Sequence, residues 1–148
     1  MKTKFTQLVV LRKKKVDEAE LMLQKNAQKI IDKQAEIDAL IREFATLEEP
    51  KNGVYQAFLT FVHHKNEYRE TIDFKMGELA LLKKQKQELQ EYFKMQNVEY
   101  EKAKYLDGLE VKKILGKIRR QESKDLDEIS VMLYANHHKK KKKKKYYF

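Results

Sequence analysis

Two adjacent histidines, His63 and His64, are the foremost candidates for metal or proton chemistry in this 148-residue chain. Consecutive residues on a helix diverge by about 100°, so the two cannot grip one ion as an i,i+4 pair would. No carboxylate–histidine spacing beside them repairs this, and surface histidines are the preferred reading. The chain has no cysteine, which removes thiolate metal sites and disulfides and fits a reducing cytoplasm. There is no nucleophile–base pair and no glycine-rich phosphate loop. Carboxylates are plentiful, but they alternate with lysines as on solvated helix faces, where nothing shifts their pKa. A pair of helices also offers no concave substrate site. The sequence therefore reads as a non-enzyme without cofactor, metal or small-molecule substrate.

The remaining chemistry is basic. Arg12-Lys13-Lys14-Lys15 is followed by Asp17, Glu18 and Glu20, and reads as a solvated face with i,i+4 partners. Lys112, Lys113, Lys117, Arg119 and Arg120 lie among apolar residues, where an acidic partner surface and plain solvation are equally good readings. Residues 139–145 are seven lysines, followed by Tyr146-Tyr147-Phe148. Of the net charge of +10, that run supplies seven, leaving +3 for the rest. A block of like charges repels itself, so residues 137–148 are expected to be a disordered tail. Such a tail could grip nucleic acid or acidic lipid headgroups. Neither is the preferred reading, since the basic body that nucleic-acid binding requires is missing.

The elements that carry these residues are organised about Glu48-Glu49-Pro50-Lys51-Asn52-Gly53. It holds the only proline of the chain, which cannot sit inside a helix and pushes Glu49 out of the α region. Asn-Gly tolerates the positive φ of a turn. Before the break, Val9, Val16, Leu23, Ile30, Ile37 and Phe44 recur every seven residues. After it, Phe58, Lys65, Ile72, Leu79, Lys86 and Phe93 do the same, with Phe61, Tyr68, Leu82 and Leu89 beside them. A period of seven keeps one seam toward a partner helix. The expected fold is all-α: a long two-helix antiparallel coiled-coil hairpin over residues 1–136. Helix one spans about 5–48, the tip 49–53, and a longer second helix about 54–134.

A short turn at residue 51 sets Phe44 against Phe58, Ile30 against Ile72, Leu23 against Leu79 and Val9 against Phe93. It also sets Ile37 against Lys65 and Val16 against Lys86, where lysine must snorkel to water. By a rise of 1.5 Å per residue the helices would reach ~65 and ~120 Å. Everything beyond about Asn97 is then expected to lack a partner within the chain, and exposed apolar stripes mark binding surfaces. Ile41, Phe44, Phe58 and Val62 make the tip a second candidate surface, or a local plug that closes the hairpin. A bend or helix end is expected at Asp107-Gly108, because glycine costs ~1 kcal/mol against alanine in a helix. Thr3 or Thr6 is the expected cap of helix one, and Ser123 that of a last segment. No apolar run approaches the ~20 residues of a membrane span, and no signal-peptide core precedes the first helix.

Lys4-Phe5-x-x-Leu8, the heptads bearing Ala19, Gln24, Ala27, Gln34 and Ala35, the tip one third along, and the Lys/Gln/Glu-rich second helix carry a resemblance. The chain resembles the flagellar type III export protein FliJ family and its virulence-system relatives, over essentially residues 1–134. The lysine tail departs from that pattern. The resemblance implies a cytoplasmic antiparallel coiled coil similar to a rotary-ATPase stalk, lying at the flagellar base. It implies that the end carrying both termini enters the hexameric export ATPase and stimulates it. It further implies that the tip contacts the cytoplasmic domain of the export gate, and that substrate chaperones are escorted. Carried over by pattern, ATPase contacts would fall on Phe5, Leu109, Ile114, Leu115 and Ile118, and gate contacts on Ile41, Phe44, Phe58 and Val62. Alternatives are a generic coiled-coil adaptor or chaperone that dimerises through its overhang, and a nucleic-acid-associated protein acting through its tail.

Overall fold

The computed structural model describes residues 1–146, with side chains described through residue 139. It contains two helices, α1 (Thr6–Ala45) and α2 (Tyr55–Tyr146), and no strand among the described residues. The chain divides into two compact units. One is Leu11–Tyr100, and the other pairs Met1–Val10 with the chain from Glu101 onward.

Within Leu11–Tyr100, α1 and α2 run antiparallel and bury the seam that the heptads predict. Val16, Ala19, Asn26 and Ile37 are buried on α1, and Leu79 is buried on α2, with Ile72, Leu82, Leu89 and Phe93 half-buried. The register differs from the short-turn expectation. Asn26 reaches Leu82 rather than Met76, Lys33 reaches Glu78 rather than Arg69, and Glu36 reaches Lys75 rather than Asn66. The offset is about two helical turns, or roughly one heptad. Phe44 therefore lies under the Arg69 guanidinium, 5.9 Å from ring centroid to cation, and not against Phe58. The same shift brings Ile37 about level with Ile72 and Val16 with Phe93, while Lys65 and Lys86 come about level with Phe44 and Leu23 instead. Ile37 is only 1% exposed. Because the side-chain pattern repeats every seven residues, a slip of one heptad leaves every seam residue on the seam.

The cause of the shift lies in the connection. Helix α1 ends three residues earlier than expected. The Thr46 hydroxyl donates to the Glu43 carbonyl at 2.7 Å, and the Thr46 N–H is shared between the carbonyls of Arg42 and Glu43. Such local side-chain bonding competes with helix continuation. Nine residues, 46–54, then separate the helices, so α2 can begin beyond the level at which α1 stops. No residue there takes a positive φ, so the Asn52-Gly53 pair does not form the left-handed turn that its sequence suggests.

In the other unit, Thr3 and Thr6 share the capping role. The Thr3 N–H donates to Thr6 Oγ1 at 2.8 Å, and Thr3 Oγ1 accepts from the Phe5 N–H at 3.0 Å. The Thr3 hydroxyl also donates to the Asp107 carboxylate. Ala103 is 2% exposed, and Asp107, Glu110, Val111 and Ile114 are half-buried. The absence of a partner expected from Asn97 onward is thus not found at these positions. The face opens fully only from residue 117, beyond which every described residue is exposed. Helix α2 is unbroken at Asp107-Gly108 and at Ser123. A single glycine's cost of ~1 kcal/mol is small beside the hydrogen bonds of the turns on either side. Helix α2 also continues past the expected end at 134, where Tyr134 and His138 stack with ring centroids 6.0 Å apart. The disorder expected of the lysine run falls mostly on residues outside those whose side chains are described.

Candidate functional site

Phe5, Leu109, Ile114, Leu115 and Ile118 belong to one unit, because Met1–Val10 and the chain from Glu101 cluster together. The capping bonds of Thr3 position Phe5, whose ring lies half-buried with the Lys4 ammonium 5.4 Å from its centroid. Ile114 is half-buried as well, in line with Ala103, Asp107 and Glu110 of the same unit. The other three are open: Leu109 is 46% exposed, Leu115 37% and Ile118 42%. Around them Lys112, Lys113, Lys117, Arg119 and Arg120 are all exposed, and none makes an ion pair within the described residues. Leu115 and Ile118 share one face of the helix, with Leu109 on the opposite side, and unneutralised cations surround them. Such a surface suits an apolar, acidic partner.

The tip residues separate into two levels. Ile41 is exposed and Phe44 half-buried near the end of α1, where Tyr68 donates its hydroxyl to Glu43 at 3.3 Å. The Glu43 charge holds the Tyr68 phenol above its ordinary pKa, helped by partial burial and the hydrogen bond. Phe58 and Val62, both exposed, lie on the first turns of α2. Phe58 is ten residues from Tyr68, ~15 Å along the helix. The four residues thus form no single plug. Phe58 joins Val54, Tyr55 and Leu59 in an exposed apolar group at the start of α2.

His63 and His64 both face Glu67, at 3.3 and 3.8 Å, and are exposed. No group of three or more metal-ligating side chains occurs among the described residues.

Two features escaped sequence reading. Phe74, Leu81 and Met95 form an exposed second ridge on α2 at heptad spacing; the signal was present, but the stronger seam two residues earlier masked it. Two shallow grooves of ≈ 420 and ≈ 520 Å³ lie between the helices, the first lined by Lys33, Glu36, Glu78 and Leu81 of this ridge, the second by Met22, Asn26 and Tyr92. At the first groove Lys75 and Lys33 converge on Glu36 at 3.1 and 3.4 Å. The hydrogen bond from Lys75 and the charge of Lys33 hold the Glu36 carboxyl below its ordinary pKa. Lys33 is desolvated at the seam, yet its bonds to Glu78 and Glu36 raise its pKa on balance.

The family model described as flagellar FliJ protein matches residues 1–139, nearly the whole described chain. The chain belongs to the FliJ family. FliJ membership makes it a flagellar export-associated component, of a family that is cytoplasmic and non-enzymatic. No helix among the described residues is long and apolar enough to cross a membrane. No curated protein and no solved structure matched the chain.

Proposed function

We propose that this FliJ-family chain is a coupling component of the export apparatus, which binds and stimulates the hexameric export ATPase and links it to the export gate. The observation that carries the reading is the exposed apolar and basic residues of 109–120, with Leu115 and Ile118 on one face, held in one unit with Phe5. In this reading Phe5, Leu109, Ile114, Leu115 and Ile118 contact the ATPase. Ile41, Phe44, Phe58 and Val62 serve the cytoplasmic domain of the gate, and the chain works at the flagellar base. Substrate chaperones are a further partner class. A coiled-coil adaptor with another partner is the second reading, favoured by the open apolar residues after 120.

The test is ATP hydrolysis by the cognate export ATPase with and without this protein at physiological salt. The variants are Ile118→Asp, the double variant Ile114→Asp/Ile118→Asp, and a chain lacking residues 137–148. Ile118 is exposed, so the single variant keeps the fold, which circular dichroism checks. Stimulation that survives the deletion but not Ile118→Asp is the expected result. Equal hydrolysis with and without the protein overturns the ATPase reading in favour of the adaptor.

A further inference from the structure

Beyond Ile118 the apolar residues of α2 keep a regular spacing that the ATPase reading does not use. Leu115 and Leu126 are eleven residues apart, and so are Ile118 and Ile129. Eleven residues make just over three turns, so all four lie on one face of a straight helix. All are between 37% and 64% exposed. The charges on this segment are also segregated. Lys112, Lys113, Lys117, Arg119 and Arg120 precede Glu122, and Asp125, Asp127 and Glu128 follow it, with Lys124 the one cation among them.

We infer that this face pairs with a second copy of the chain, antiparallel, about a two-fold axis at Glu122. That axis sets Leu115 against Ile129 of the second copy and Ile118 against its Leu126, so each copy supplies both halves of both contacts. This self-complementarity is what a two-fold interface demands. It also lays the basic stretch of one copy along the acidic stretch of the other. A parallel pair would instead lay basic on basic, and the lysine runs at 139–145 side by side. Like charges at such separations oppose association. Glu122 meets its own copy at the axis and is the one unfavourable layer. Pairing covers Leu115 and Ile118, so a second copy and any other partner of those two residues exclude each other.

The chain has no cysteine, so single cysteines report the arrangement directly. In the full-length protein under mild oxidation, Glu122→Cys crosslinks with itself. Leu115→Cys and Ile129→Cys do not when alone, but do when mixed. Self-crosslinking at 115 and 129 would overturn the antiparallel pairing, and no crosslink at any of the three would overturn the pairing itself. By sedimentation, the unmodified chain shows twice the monomer mass. Leu126→Asp/Ile129→Asp returns it to one mass at the same concentration, and Glu122→Leu holds the dimer at greater dilution. Circular dichroism checks that the Asp variant remains helical. A chain that sediments as a monomer, with Glu122→Leu no different, would overturn the proposal. Leu126 and Ile129 lie outside the ATPase contacts, so failure of one reading leaves the other standing.

Discussion

Asn26 is the polar residue at the centre of the seam, 5% exposed, and donates its side-chain N–H to the Leu82 carbonyl at 3.2 Å. Its Oδ1 is buried without a partner. Burying an amide half-satisfied costs stability, but a polar seam residue fixes register. The two registers that the heptads allow differ at this residue, because Asn26 opposite Met76 would find a different carbonyl level. Asn26→Leu is expected to raise the melting temperature while loosening register. Spin labels at one α1 and one α2 position would read this as two distance populations in place of one; a single sharp distance would refute it. Glu36 makes a prediction in pH. Its carboxyl is held below the ordinary value of 4.5 by Lys75 and Lys33, so the folded state favours the ionised form. The stabilisation is complete above the ordinary carboxylate value and is lost as pH falls through the lowered folded value. The difference in melting temperature between the chain and Glu36→Gln should thus be small but present near neutrality, closing on acidification and shrinking in high salt. A gap that widens in acid would contradict this.

For the helices, Ile37 and Ala19 test the seam from opposite sides. Ile37 is 1% exposed, so Ile37→Ala should cost about 2 kcal/mol, the low end for such truncations because a two-helix seam collapses readily. Ala19 is fully buried, and Ala19→Leu should cost about 1–3 kcal/mol through overpacking. Urea unfolding followed at 222 nm checks both, and a neutral Ala19→Leu would mean that the helices separate more easily than the packing implies. The seam residues themselves were legible in the sequence, since only a helix pair explains Val16, Ile30, Ile37, Ile72, Leu79 and Phe93 at heptad spacing. Their pairing was not legible. A one-heptad slip conserves the stripe, and the length of the 46–54 connection, the Thr46 hydroxyl and the Asn26–Leu82 bond bear on which of the two alternatives forms. Residues 109–118 read as an apolar-basic stretch from the sequence itself and Phe5 joins them only through the family resemblance; the structure adds which of them are open. The half-burial of Ile114 is not legible in the sequence, because nothing there announces that Thr3 bonds to Asp107, 104 residues away.

Across the whole chain, charge and burial are distributed unevenly. Among the described residues every buried one lies at or before Ala103, while seven of the net ten positive charges lie at 139–145. Residues 117–139, all exposed, hold their helix through backbone hydrogen bonds, intrinsic propensity and local pairs such as Gln121–Asp125 and Tyr134–His138. Isolated helical stretches of this kind are marginal in water. Any partner that docks on this stretch, whether an ATPase or a second copy, must therefore bear the entropy of ordering it. Affinity then depends on residues that touch nothing. Gly116 is such a residue: a Cβ there would meet only the Arg120 guanidinium, at an ordinary 3.8 Å. Gly116→Ala should favour the helical state by ~1 kcal/mol, and so tighten binding about fivefold without adding a contact. Calorimetry would register the gain as a smaller entropic penalty at nearly unchanged enthalpy. Natural variation at this glycine would then tune the strength of association from a position outside the interface.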